Sequence, residues 1–210
     1  MTGLVLPCAR RAAVGVASAL LAGLALASHA RAEDAPFFTL GPQQAGFSLA
    51  YGHGVDFAGS GVIEGDQVRV LSALPHWQID VTRRPEEPAW YEGSLAFRVE
   101  GAISLNLEPR RGVAAGANLL LRYRLLHWKS FSPYLEAGAG LLDLAYDLVD
   151  QDNGLAFTPQ GGVGVCTRID PRTSIDAGVR FHHASNANSH LPNGGIDTLQ
   201  FLLGLVFHFD

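Results

Sequence analysis

The sequence predicts an all-β fold, an eight-stranded antiparallel transmembrane β-barrel of the outer membrane. Three observations predict it. The chain opens with an export signal, apolar and polar residues then alternate with period two, and the connections between the alternating runs differ in length. After residue 32 no uncharged apolar stretch is long enough for a membrane-spanning helix. A membrane protein with this sequence must therefore cross the bilayer with strands.

Residues 1–32 have the three-part layout of a secretory signal peptide. Arg10 and Arg11 form a basic start, residues 14–26 form an apolar core, and residues 30–32 supply small side chains at the cleavage positions. The core is shorter than the roughly 20 residues that a membrane span needs. We therefore expect a signal peptide over 1–32 and an outer-membrane β-barrel domain over 33–210.

Eight runs of the exported part show the alternation. Candidates at 45–55 and 67–79 are followed by a long run at 90–105, where most odd positions are apolar and many even ones are Ser, Arg or Glu. The same parity holds in the later runs, most clearly in the last, where every odd position from 199 to 209 is Leu or Phe. In order, the remaining predicted strands are 118–125, 135–141, 157–169, 173–181 and 198–209.

The connections decide between a membrane barrel and a soluble β-sandwich, which would also alternate in polarity. A sandwich has similar turns at both ends, whereas an outer-membrane barrel has short periplasmic turns and longer external loops. Three compact connections alternate here with four longer or glycine-rich ones, which favours the barrel with the longer set outside. The compact set is 83–88, 127–133 and 170–172, and the longer set is 55–63, 106–115, 145–155 and 186–196.

The even positions place many charges inside this narrow barrel. Eight strands leave an interior that side chains can fill, so we interpret these charges as a paired structural network and not as the lining of a pore. The predicted inward residues are Glu92, Arg98, Glu100, Arg122, Arg124, Glu136, Arg168, Asp176 and Arg180.

The net charge and the cysteine count argue against a nucleic-acid-binding protein and against a disulfide-bonded one. The formal net charge is −5, and the signal carries arginines but no acid, so the exported part is more acidic still and should bind no nucleic acid. Only Cys166 survives cleavage, so no internal disulfide can form.

Polar residues interrupt the lipid-facing stripe at one rim. After residue 181 the next members of the outward face are His183 and Ser185, and on the returning strand the corresponding member is Asp197. Neighbouring strands bring such side chains within about 5 Å. We predict Ser185 as a nucleophile, His183 as its general base and Asp197 as the acid that orients the base.

Two other interpretations of these residues remain. The three could be ordinary polar rim residues at the headgroup level. His182, His183 and His190 could instead bind a metal, but adjacent strand residues point to opposite faces, so we expect no metal.

The stretch resembles the PagL-like lipid A 3-O-deacylases of the outer membrane. The resemblance lies in the run from His183 to Ala187, in Pro192-Asn193-Gly194-Gly195 and in Asp197, and more weakly in residues 133–140. It implies an eight-stranded barrel that removes the acyl chain ester-linked at position 3 of lipid A without a cofactor. It also implies an oxyanion hole that includes Asn193, with backbone N–H groups near Asn186 and Gly194 as companions.

A site on this rim could act on lipopolysaccharide, because the rim is surrounded by outer-membrane lipids. The acyl chains would lie along Phe181, Val179, Leu199 and Phe201 on the lipid face. Two rivals remain, a non-enzymatic barrel acting in adhesion or envelope stability and a phospholipase that uses the same residues. The oligomeric state also stays open, with a homodimer as one option.

Overall fold

The computed structural model describes residues 40–56, 67–82, 93–125 and 130–209. The predicted signal peptide lies outside these residues. Within them no helix is long and apolar enough to cross a membrane. The described strands are β1 (Gln43–Gly54), β2 (Arg69–Asp80), β3 (Ser94–Glu108), β4 (Gly112–Arg124), β5 (Phe131–Ala145), β6 (Gly154–Phe157), β7 (Gln160–Asp170), β8 (Thr173–Ala184) and β9 (Ile196–Phe209).

The strands form one closed antiparallel sheet. β1 pairs with both β2 and β9, and pairing of β4 with β5 closes the ring. β6 and β7 share one strand position, because β6 pairs with residues 141–144 of β5 and β7 pairs with residues 131–138. Between them Thr158 exchanges both backbone hydrogen bonds with Gly140. The barrel therefore has eight strand positions, which confirms the predicted fold.

Side-chain parity is the same around the whole barrel. Away from the strand ends, each ladder pairs odd-numbered residues with odd-numbered ones, so odd residues share one face. On β1, Ser48 is 2% exposed and Leu49 is 51% exposed, and most other strands alternate in the same way, whereas β7 does so less regularly. The apolar odd residues thus form the outer surface, as an outer-membrane barrel requires.

The interior holds a network of buried charges near the middle of the strands. Arg122 contacts Glu136 at 2.7 Å and Asp176 at 2.5 Å, and Arg180 contacts Glu100 and Glu136, each at 2.7 Å. The Tyr134 ring stacks on Arg122, with 3.7 Å from the guanidinium carbon to the ring centre. Arg98 completes the network through Glu100 at 3.2 Å. The interior is therefore plugged by paired side chains, as predicted for these residues.

Two of the predicted inward charges differ from the rest, and a third cannot be placed. Arg124 pairs with Asp80, away from the central network. Arg168 is exposed near the end of β7, where the ladder to β8 is irregular, so its placement in the network was wrong. Glu92 lies outside the described residues.

The lengths of the connections between strands agree only in part with the prediction. The 170–172 turn is compact, as predicted. The prediction of a long loop over 106–115 was wrong, because the ladder continues to the pair Asn106 and Gly112 and leaves only the turn 109–111. This turn lies at the same end of the barrel as the connections 146–153 and 185–195, and we call that end the site end.

Candidate active site

The end of β8 and the start of β9 bring the three predicted catalytic residues together. His183 lies directly opposite Asp197 in the ladder between these strands. Ser185 follows two residues later, just beyond β8, where it forms a bridge with Phe157 of β6. All four residues are odd-numbered, so they share the outer face of the barrel at the site end.

The side chains form one hydrogen-bonded chain. Nδ1 of His183 lies 2.6 Å from Oδ1 of Asp197, and Nε2 of His183 lies 3.0 Å from Oγ of Ser185. Because a carboxylate can only accept, Nδ1–H donates to Asp197, and Nε2 is left to accept the Ser185 proton. The His183 side chain is 33% exposed and that of Asp197 is 12% exposed, so the acid is the more shielded of the pair.

Gly195 gives the imidazole the space it needs. Its φ angle is +80°, a backbone conformation that residues other than glycine rarely adopt. A Cβ at this position would lie 2.9 Å from Cε1 of His183, closer than real Cβ contacts. A larger residue would therefore displace the ring.

The loop that carries the site is held by the neighbouring connection 146–153. Gly194 N–H donates to the Asp150 carbonyl at 2.7 Å, and Asp152 N–H donates to the Pro192 carbonyl at 2.9 Å. The buried side chain of Gln151 accepts a hydrogen bond from Gly195 N–H at 2.9 Å. Sequence reasoning missed Gln151, because nothing local in the chain shows that its loop meets one more than 30 residues away.

The predicted oxyanion residues are joined to each other. Asn186 N–H donates to Oδ1 of Asn193 at 2.9 Å, and Nδ2 of Asn193 donates to Oδ1 of Asn188 at 3.0 Å. Gly194 N–H is bonded to the neighbouring connection. The backbone N–H groups of Asn186 and Gly194 are therefore already bonded, whereas the Asn193 side-chain amide, which has two N–H groups, can still donate one.

Below the triad, on the side away from the site end, lies an apolar patch. Val179 pairs with Phe201 and Phe181 pairs with Leu199, so these four predicted acyl-contact residues form adjacent rows of the outer face. We call them the acyl patch. The row of Phe181 and Leu199 lies directly below that of His183 and Asp197.

The histidines considered as metal ligands are separated. His182 is buried inside the barrel, His183 faces outward and His190 lies exposed in the loop. Among the described residues no group of three or more His, Cys, Asp or Glu side chains could hold a metal ion.

A second serine–histidine pair lies at the opposite end of the barrel. Ser174 Oγ is 2.7 Å from Nε2 of His208, but Ser174 is 1% exposed. The other imidazole nitrogen faces Arg168 at 3.5 Å, where the triad has a carboxylate. This serine is buried and its histidine contacts a guanidinium instead of a carboxylate, so the pair serves as an internal control for Ser185.

Comparison with known proteins supports the family resemblance noted in the sequence. A family model described as lipid A 3-O-deacylase (PagL) matches residues 65–206. The crystal structure of the outer-membrane enzyme PagL is similar at 20% identity over 76% of this chain and 98% of that chain, with a TM-score of 0.56. Neisserial surface protein A is similar at 16% identity over 84% of this chain and 100% of that chain, with a TM-score of 0.50. Comparison with curated protein sequences gives no significant match.

Both structural likenesses show the fold of small outer-membrane barrels. The family match covers most of the chain and includes His183, Ser185 and Asp197. This protein is therefore an outer-membrane β-barrel and belongs to the PagL family of lipid A 3-O-deacylases.

Proposed function

We propose that this protein hydrolyses the ester at position 3 of lipid A with Ser185, His183 and Asp197 at the outer rim of the barrel. The observation that carries the proposal is the hydrogen-bonded chain from Asp197 through His183 to Ser185 on the outer face. Family membership supports the substrate. The geometry supports a serine esterase mechanism.

In the first half of the reaction Ser185 Oγ attacks the ester carbonyl. His183 Nε2 takes the hydroxyl proton, and the carbonyl π electrons move to oxygen, giving a tetrahedral oxyanion. Asp197 stabilises the imidazolium that forms. When the intermediate collapses, the bond to the sugar oxygen breaks and His183 protonates that oxygen, leaving an acyl group on Ser185.

Water completes the cycle. His183 removes a proton from a water molecule, whose oxygen attacks the acyl carbonyl. Collapse of the second intermediate breaks the bond to Ser185 Oγ and returns the proton to it. The products are the free fatty acid and lipid A with a hydroxyl at position 3, and the reaction consumes only water.

The oxyanion needs donors beside Ser185. The Asn193 amide is held there by its bond to the backbone of Asn186, the next residue in the chain. It can offer its second N–H to the oxyanion while keeping its bond to Asn188.

The position of the triad suits a substrate that stays in the membrane. The acyl patch lies immediately below the triad, so a carbonyl at Ser185 continues into a chain lying against apolar side chains. With the site end outside the cell, the triad is level with the ester bonds of outer-leaflet lipopolysaccharide. No passage through the plugged interior is needed.

Mass spectrometry of lipid A after incubation with purified protein tests the proposal. The wild-type protein should release one ester-linked chain from position 3, and Ser185→Ala should release none. Ser174→Ala, which removes the buried serine bonded to His208 at the opposite end of the barrel, should remain active. Release by Ser185→Ala would refute the mechanism, absence of release by wild type would favour a non-enzymatic barrel, and release from phospholipid alone would indicate a phospholipase.

A further inference from the structure

An open cleft lies on the outer face beside Ser185. Its volume of about 460 Å³ lies within the range of about 300–1,000 Å³ that is usual for ligand sites. β6 and the connection before it form one wall, and the loop after β8 forms the other. The lining side chains include Asp152, Asn153, Leu155, Phe157, Ser189 and His190.

The cleft is continuous with the nucleophile. Phe157 and Ser185 exchange both backbone hydrogen bonds, at 2.8 and 3.1 Å. Residues paired in this way have Cα atoms about 5.5 Å apart, and these two side chains point to the same face. A group joined to a carbonyl at Ser185 can therefore reach the cleft without crossing another strand.

The cleft and the acyl patch lie on opposite sides of Ser185 along the barrel. Phe181 is four residues below Ser185 on β8, about 13 Å at 3.3 Å per residue. Leu155 lies one outward row above the row that Phe157 shares with Ser185. The row of Leu155 also contains the exposed Asp143, so a charged side chain lies at the level of the cleft.

An ester consists of an acyl half and an alcohol half, and the acyl patch and the cleft could each bind one of them. The acyl half matches the apolar patch below. The cleft above offers a carboxylate, an amide, a hydroxyl and an imidazole beside the half-exposed side chains of Leu155 and Phe157. A sugar presents hydroxyl groups around a ring with apolar C–H faces, which such a mixed surface can bind.

The two walls are held together before any ligand arrives. Asp152 N–H donates to the Pro192 carbonyl at 2.9 Å, which ties one wall to the loop of the other. The His190 carbonyl accepts from Nδ2 of Asn186 at 3.0 Å, next to the nucleophile. Preformed walls reduce the entropy lost on binding.

We propose that this cleft binds the glucosamine unit that carries the ester, the alcohol half of the substrate. The inference rests on the proposed function, from which it takes the identity of the substrate. It assigns sugar recognition to Asp152, Ser189 and His190, and apolar contact with the ring to Leu155 and Phe157.

Binding in the Ser185→Ala background tests the proposal without requiring turnover. Leu155→Trp should fill the cleft and weaken the affinity for lipid A in detergent micelles by about tenfold, a change of about 1.4 kcal/mol. Affinity for phosphatidylglycerol, which has acyl chains but no sugar, should not change. His190→Ala, which removes a polar contact and adds no bulk, should weaken lipid A binding in the same selective way.

Ile103→Trp is the matched control. Ile103 lies in the same outward row as Leu155, through Ala115 and Asp143, and is 64% exposed but does not line the cleft. It should leave both affinities unchanged. Folding of each variant is checked by heat-modifiable migration, and His190→Ala carries the test if Leu155→Trp does not fold.

Different results overturn the two proposals. Unchanged lipid A binding in the cleft variants, or equal weakening for both lipids, would overturn the sugar site. Selective weakening in these variants, together with no lipid A hydrolysis by protein that retains Ser185, would overturn the proposed function and leave the sugar site standing.

Discussion

Asp197→Asn isolates the contribution of the acid to catalysis. The substitution preserves the size of the side chain and removes its charge. In the native protein the carboxylate lies 2.6 Å from Nδ1 of His183 and its side chain is 12% exposed, so water screens it only in part. The loss should appear in kcat, because the acid matters most when the imidazolium forms.

The expected magnitude follows from the geometry. Opposite charges about 4 Å apart attract by about 4 kcal/mol at an effective dielectric constant of about 20. Losing this stabilisation should slow the chemical step by about 10³-fold. An asparagine amide can also donate to Nδ1 and so favour the imidazole tautomer that cannot accept the Ser185 proton, which brings the expected loss to about 10³- to 10⁴-fold.

Initial rates of fatty acid release from lipid A micelles measure the effect. Asp197→Glu keeps the charge and should retain far more activity than Asp197→Asn. Both variants should remain heat-modifiable barrels, because the site lies on the rim. An Asp197→Asn protein with kcat within about threefold of wild type would refute the role of the acid, since that change is below about 1 kcal/mol.

Four further predictions concern the support of the site, the barrel and its export. Gly195→Ala should lower kcat by about 10²-fold, because its Cβ would displace His183 from Ser185, and a normal rate would contradict that contact. Asn193→Ala should lower turnover by about 10²-fold or more with little change in KM, whereas a change in KM alone would indicate substrate binding. Glu136→Gln should lower the free energy of unfolding in urea by about 3–5 kcal/mol, because it leaves buried arginine charge poorly paired, and an unchanged midpoint would contradict the network. Intact-mass measurement of the exported protein should give a first residue at or near Glu33, and retention of residues 14–26 would contradict the signal peptide.

Period-two alternation was sufficient to predict most of the barrel. A strand that meets lipid on one face and a filled lumen on the other has to alternate, so the parity of a single run predicts which residues face outward. The same parity identified His183, Ser185 and Asp197 as polar interruptions of the lipid face. Their hydrogen bonds depend on one cross-strand pair and one i, i+2 pair, which local periodicity can predict.

Features that depend on distant segments could not be predicted in this way. The bond from Gln151 to Gly195 joins separate loops, and neither loop has a periodic pattern. The cleft requires the same two loops. The turn at 109–111 was mistaken for part of a long loop because proline and glycine are typical turn residues, although the ladder extends through Asn106 and Gly112.

The charge network also bears on how the barrel assembles. Arg98, Glu100, Arg122 and Glu136 lie on consecutive strands β3 to β5, and Asp176 and Arg180 lie on β8, so each group is electrically neutral by itself. A partly formed sheet would therefore carry no net charge from these residues into the bilayer.

The shortest contact in this network nevertheless joins the two groups, between Arg122 and Asp176 at 2.5 Å, and Arg180 also reaches across to Glu100 at 2.7 Å. These contacts require the sheet to curl until β8 comes to face β3 and β4. Until then the charges lack their best partners, and in hydrocarbon an unpaired charge is costly. Insertion and closure should consequently occur as one cooperative event, with open, partly inserted sheets too unstable to accumulate.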